Sequence, residues 1–137
     1  MAHTDMLQDI VDFHEKFGLK NDGPPDLGSV HYQAFRLNFL KEEISELEEA
    51  LKEENLAEVF DALIDLTYVA MGTAYSMGFP WQEGWNEVHK CNMAKQRVQG
   101  ADDSKRGTPL DVMKPADWKK PNLGQFIVRA FKEHYET

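Results

Sequence analysis

Residues 39–65 read FLKEEISELEEALKEENLAEVFDALID, and within this stretch carboxylates recur at helical spacing. Glu43 and Glu46 are three residues apart, as are Glu58 and Asp61, and Asp65 follows one turn later. Residues three or four apart share one face of a helix, with Cβ atoms about 5–6 Å apart. The stretch therefore encodes two consecutive helices, each bearing an acidic patch. Their connection is short, so they are expected to pack as antiparallel neighbours. Such a hairpin sets Glu43 and Glu46 against Asp61 and Glu58 at similar depth, and four or five carboxylates converge on one point.

The second helix narrows the choice further. Residues 56–77 are apolar on nearly every side, with Val59, Phe60, Ala62, Leu63, Ile64, Leu66, Val69, Ala70 and Met71. A helix of that kind is expected to be buried. Its acidic stripe runs on into Tyr68 and Gly72, whereas a solvated face would keep collecting charges. Buried carboxylates are costly unless they are paired, protonated or bound to metal. The competing reading makes these acids a surface at the mouth of a bundle. Glu48, Glu49, Lys52 and Glu53 read as an ordinary solvated face.

Elsewhere the pattern is one of helices and loops. Residues 4–17 form a first helix, with Thr4 as N-cap, Gly18 as stop and His14 as a surface or packing residue. Residues 21–28, NDGPPDLG, are a loop. Ser29 or His31 opens a long helix through Lys52, whose apolar side is Phe35, Phe39, Leu40, Ile44, Leu47 and Leu51. Asn55 and Glu58 form a capping pair for the next helix. Pro80 begins a fourth, from Trp81 to about Arg97, with Trp85 and Val88 toward the core. A basic loop spans 99–121 and carries Lys105, Arg106, Lys114, Lys119 and Lys120. A last helix covers 122–135, capped by Asn122 and Gln125. No segment alternates as a strand does. The expected fold is an all-α bundle of four to five helices in a single domain, 1–137, with its core at about 29–97.

Composition limits the partners. The chain of 137 residues has one domain's length, and 42% hydrophobic with 28% charged residues is ordinary for a soluble globular protein. No run is long enough to span a membrane, and Asp5, Asp9, Asp12 and Glu15 are wrong for a signal peptide. The single Cys91 excludes an internal disulfide and a cysteine metal cage, which fits the cytoplasm. A net charge of −9 argues against nucleic acid as partner. An acidic chain still binds an anionic small molecule when divalent cations stand between the two.

Carboxylates without His or Cys suit a hard cation, Mg²⁺ or Mn²⁺. Two such ions would remove the repulsion among Glu43, Glu46, Glu58 and Asp61 and leave positions for water and substrate phosphates. Glu42 adjoins the stripe, roughly 100° around the helix from Glu43, and is a candidate general base. A carboxylate-bridged di-iron protein would want Glu-x-x-His motifs. The residues three before His14, His31, His89 and His134 are Val11, Gly28, Asn86 and Phe131. A non-catalytic metal-binding helical interaction module is the other alternative. Neither a P-loop nor a nucleophile elbow occurs.

Three segments carry a family resemblance: Glu42-Glu43-Ile44-Ser45-Glu46; Glu58-Val59-Phe60-Asp61 followed by Ala62-Leu63-Ile64-Asp65; and residues 87–95, EVHKCNMAK, with Asn92 and Lys95 three apart. Over about residues 35–95, with a weaker echo at 114–121, the chain resembles the all-α nucleotide pyrophosphohydrolases, the MazG-like and phosphoribosyl-ATP-pyrophosphohydrolase-like group. The resemblance implies Mg²⁺-dependent hydrolysis of a nucleoside or deoxynucleoside triphosphate to monophosphate and pyrophosphate, in nucleotide-pool housecleaning. It implies Glu43, Glu46, Glu58 and Asp61 as metal ligands, with Asn92 and Lys95 on phosphate or sugar. It also implies a homodimer or homotetramer whose helices share one bundle. The spacer 47–57 is short for the group, and a slip of one turn would bring Asp65 into the metal set. His31, Gln33 and Arg36 stand where they could reach base or phosphate. In the basic loop Lys114 could clamp phosphate and Trp118 could stack on a base.

Overall fold

The computed structural model of the chain describes residues 5–136, and local sequence signals set the ends of most of its elements. Helix α1 (Met6–Lys16) is capped by Asp5, whose Oδ1 accepts the Gln8 N–H at 3.0 Å. The expected cap, Thr4, lies outside the described residues. Helix α2 (Val30–Lys52) starts at Ser29, whose Oγ accepts the Tyr32 N–H at 3.1 Å. Helix α3 (Leu56–Ser76) starts at Asn55, whose Oδ1 accepts the Glu58 N–H at 3.1 Å. Helices α4 (Trp81–Met93) and α5 (Gly124–Tyr135) complete an all-α fold.

Two boundaries differ from the sequence expectation. Helix α4 stops at Met93 because the chain turns into a short antiparallel ladder, β1 (Gln96–Arg97) with β2 (Val112–Met113). That pairing joins residues far apart in sequence and leaves no local pattern. Helix α5 begins at Gly124, where the Gln125 side chain donates to the Asn122 carbonyl at 2.8 Å.

The described residues divide into two compact units, one running through Trp81 and taking in residues from Ile127 on, the other Gln82–Phe126. The first is built on the α2–α3 hairpin. Glu53, Glu54 and Asn55 make the turn, with Glu54 at φ 53° and the Asn55 N–H bonded to the Ala50 carbonyl at 3.1 Å. The meeting face of α2 carries Glu43, as the hairpin reading expects, but not the large residues of its apolar side. Helix α2 buries Arg36, Glu43 and Ala50, seven residues apart, while Phe35, Ile44 and Leu51 are each more than half exposed. Helix α3 buries Ala62, Val69, Met71, Gly72 and Ala74, yet Leu56, Phe60, Leu63 and Ile64 near its start are exposed. Small residues on the meeting faces let the helices approach closely, and the larger apolar side chains are turned outward.

Helix α1 docks on the far half of α3. Ile10 and His14 are almost wholly buried. His14 Nδ1 lies 2.8 Å from the Ile10 carbonyl, the distance of an N–H···O bond, and its ring meets Tyr75 edge-on at 5.1 Å. Phe13 meets Tyr68 in the same way at 5.4 Å. His14 is thus a packing residue. Arg36 is buried among these groups, with Nε donating to Thr73 Oγ1 at 2.9 Å and Nη2 to the Val69 carbonyl at 3.0 Å.

Gly72 makes this meeting of three helices feasible. A Cβ there would lie 2.9 Å from His14 Cε1 and 3.2 Å from Arg36 Nη2. Gly72→Ala should gain about 1 kcal/mol of helix propensity but lose up to about 3 kcal/mol to overpacking against a hydrogen-bonded ring. Net destabilisation of about 1–2 kcal/mol in urea unfolding is the expected outcome. An equal or more stable variant would show that His14 yields freely.

Candidate metal and nucleotide site

The hairpin register decides which carboxylates meet. Counting outward from Glu54, Glu43 and Asp65 each stand eleven residues away, while the counterpart of Glu46 is Ala62. Oxygen atoms of Glu43, Glu46 and Asp65 lie within 4.8 Å of one another, the one such acidic group among the described residues. Glu58 and Asp61 are exposed and stand outside that group. Asp61 is one residue from buried Ala62, so helix geometry turns it about 100° from the α2-facing side. The sequence held this signal in the length of the turn.

Glu43 is the unusual member. It is 8% exposed, and its Oε2 is buried without a hydrogen-bond partner. Burial pushes its pKa above the ordinary 4.5, with the carboxylates of Glu46, Asp65 and Glu42 adding in the same direction. Glu46 can share a hydrogen bond with Glu43 only while one of the two holds a proton. Leaving a buried charge uncompensated costs several kcal/mol. Three converging all-oxygen donors with an orphaned buried oxygen fit a hard divalent cation, which takes carboxylate ligands and tolerates water in its remaining positions. Glu42 is exposed beside this group.

The other residues singled out in the first unit have structural partners or lie at the surface. His31 is exposed, and the Gln33 amide donates to the Gly28 carbonyl at 2.9 Å. Arg36 is one heptad before Glu43, about 10 Å along the helix axis, and its guanidinium is held by Thr73 and Val69.

The second unit gathers basic side chains around Trp118. The indole N–H donates to the Cys91 carbonyl at 2.7 Å, which fixes the ring. Lys95 Nζ lies 5.5 Å from the ring centroid and Lys114 Nζ 4.7 Å. Such contacts contribute about 0.5–1 kcal/mol at exposed sites, less than a charge-assisted hydrogen bond to phosphate at about 1.5–3 kcal/mol. The indole thus carries two cations, which it holds weakly. Asn92, one turn before, is exposed.

A lock that sequence reasoning missed shapes the following loop. Asp111 accepts from Ser104 Oγ at 2.7 Å, from its neighbour's Val112 N–H at 2.8 Å and from Arg106 Nη1 at 3.0 Å. Those bonds, Ser104 first, hold its carboxyl below the ordinary 3.8. No local pattern marks a Ser and an Asp seven apart as partners.

The sequence model of the phosphoribosyl-ATP pyrophosphohydrolase family matches residues 10–92, which is 83 of the 137. The match takes in α2, α3 and the three converging acids and ends at Asn92, before the ladder and basic loop. No curated protein matches the chain.

The raised pKa of Glu43 carries a stability consequence. A group raised on folding favours the fold below its unfolded value, and that contribution is lost as pH rises from 4.5 through the folded value. At neutral pH, Glu43→Gln should therefore raise the melting temperature of the metal-free protein, by about 3 °C. It should also abolish most of the further rise that Mg²⁺ or Mn²⁺ gives the wild type. Calorimetry in EDTA and in excess metal checks both, and a variant that loses stability in EDTA would contradict the origin assigned to the shift.

Proposed function

Because this chain belongs to the phosphoribosyl-ATP pyrophosphohydrolase family, and is thus a nucleotide pyrophosphohydrolase, we propose that it is Mg²⁺-dependent and splits the α–β anhydride of a nucleoside or deoxynucleoside triphosphate, serving nucleotide-pool housecleaning in the cytoplasm. The observation that carries the metal dependence is the cluster of Glu43, Glu46 and Asp65, in which Glu43 is buried and has one oxygen without a hydrogen-bond partner. These three residues would hold a Mg²⁺ or Mn²⁺ ion, which supplies neutralisation of the acids and polarisation of a substrate phosphate. Glu58 and Asp61 continue the acids of α3 toward its start and are the candidates for a second ion.

This chain's own residues have separable tasks in that reading. Glu42 accepts the proton of the attacking water as its oxygen bonds to phosphorus, and the α–β bridging bond breaks to release monophosphate and pyrophosphate. In the second unit, Asn92 and Lys95 are assigned to phosphate or sugar, with Lys114 adding positive charge. His31 is exposed and retained as a candidate for base contact, while Gln33 and Arg36 act through the backbone and side chains they hold.

A family named for phosphoribosyl-ATP also puts that nucleotide in the test. The expected result is a panel of triphosphates and phosphoribosyl-ATP in which pyrophosphate, not orthophosphate, is released only with divalent metal. Glu46→Gln and Asp65→Asn should each lower the rate more than about 100-fold, beyond what loss of an outer-shell partner costs. Orthophosphate release, or full activity of both variants, would overturn the assignment.

A homodimer or homotetramer is part of the same proposal. Phe35, Ile44 and Leu51 on α2, with Phe60, Leu63 and Ile64 on α3, form exposed apolar faces of the hairpin, more than a lone chain is expected to leave open. Light scattering should give a mass of two or four chains, and Phe60→Glu with Ile64→Glu should lower it. A wild-type monomer at micromolar concentration would remove this part.

A further inference from the structure

We propose that the second unit contains a metal-independent binding site for a condensed phosphate chain, formed by Lys95, Lys105, Arg106 and Lys114. The inference rests on the nucleotide pyrophosphohydrolase reading, since a substrate's polyphosphate tail and the pyrophosphate product share this chemistry. The site lies past the residues that the family model matches, apart from Asn92 at its edge.

The four cations line a single cavity of about 860 Å³ together with Asn92. Two acids also line it, Asp103 and Asp111, so the lining carries four positive and two negative charges, net +2, in a chain whose total is −9. Asp111 is already engaged by Ser104, the Val112 N–H and Arg106. Its charge and that of Arg106 therefore offset each other within the wall, which leaves Lys95, Lys105 and Lys114 against Asp103.

The fold imposes that convergence. Gln96 pairs with Met113 in the ladder, which places Lys95 and Lys114, the next residues outward, side by side. Both ammonium groups then lie over the Trp118 ring. Two cations drawn to one ring and lining one cavity repel each other, and an indole offsets the repulsion only weakly. An anion bound in the cavity that both line relieves it. On the other strand of the loop, the lock on Asp111 fixes the turn that carries Lys105 and Arg106. Cations on two separate segments, around a cavity larger than one phosphate needs, suit a chain of two or three phosphates over a single one.

Full-length protein in EDTA, at fixed ionic strength, would be titrated with tripolyphosphate, pyrophosphate, orthophosphate and a nucleoside without phosphate. Calorimetry reads affinity, and tryptophan fluorescence, assigned with Trp118→Phe, reads release of the lysines from the ring. We expect tripolyphosphate and pyrophosphate to bind at least tenfold tighter than orthophosphate, the nucleoside not to bind, and Lys105→Ala/Lys114→Ala to weaken binding at least tenfold with circular dichroism unchanged. Absence of binding in EDTA, equal affinity for orthophosphate, or an unaffected double variant would overturn the site. Metal-dependent pyrophosphate release without metal-free binding would overturn this site and leave the hydrolase standing. Metal-free binding without turnover of any nucleotide would do the reverse.

Discussion

The burial of one carboxylate between two helices is the constraint on which the first unit depends. Glu43 is placed where α2 meets α3, with an oxygen that no protein group satisfies and two further acids within reach. A fold chosen for stability alone would put an apolar side chain there. Instead the hairpin carries a built-in conflict that protonation or a cation resolves. The rest of the unit supports that arrangement. Ala50 and Ala62 keep the backbones close, Asn55 and the turn set the register, and Arg36 ties the far ends of the helices together.

Much of this was legible in the sequence, and the limits are physical. Helix starts at Ser29 and Asn55 were readable because a cap is a local hydrogen bond between neighbours in the chain. For α2 two local signals disagreed: the carboxylate spacing turned Glu43 toward α3, as it is found. Its apolar periodicity pointed Phe35, Ile44 and Leu51 inward, yet the side that packs on α3 is Arg36, Glu43 and Ala50. Periodicity locates an apolar face without saying whether the same chain or a second copy covers it. The same holds at the start of α3, where Leu56, Phe60, Leu63 and Ile64 are exposed in the single chain.

The acidic cluster was half legible. Its helices and most of its members follow from spacing, but the choice of Asp65 over Asp61 turns on a three-residue connection, where an error of one position rotates a helix by about 100°. In the second unit the basic character of the loop was plain and its shape was not. The ladder pairs Gln96 with Met113, and Ser104 finds Asp111, across separations at which composition carries no pairing information. That the Trp118 ring carries Lys95 and Lys114 was likewise not legible, because the ladder that brings them to it is a non-local pairing.

The missing side chain at Gly72 has a further consequence for how this protein can change. His14 from one helix and Arg36 from another both approach within about one atom's breadth of the space that a Cβ would take. Substitutions at these three positions share a single volume, so their effects should not add; neighbours in contact couple by about 0.5–3 kcal/mol. A larger residue at position 72 becomes tolerable on a background where His14 has already shrunk, and a smaller residue at 14 is least harmful where 72 has already grown. The order in which mutations arrive thus matters there, and the small core behind the acidic cluster evolves as one interlocked piece.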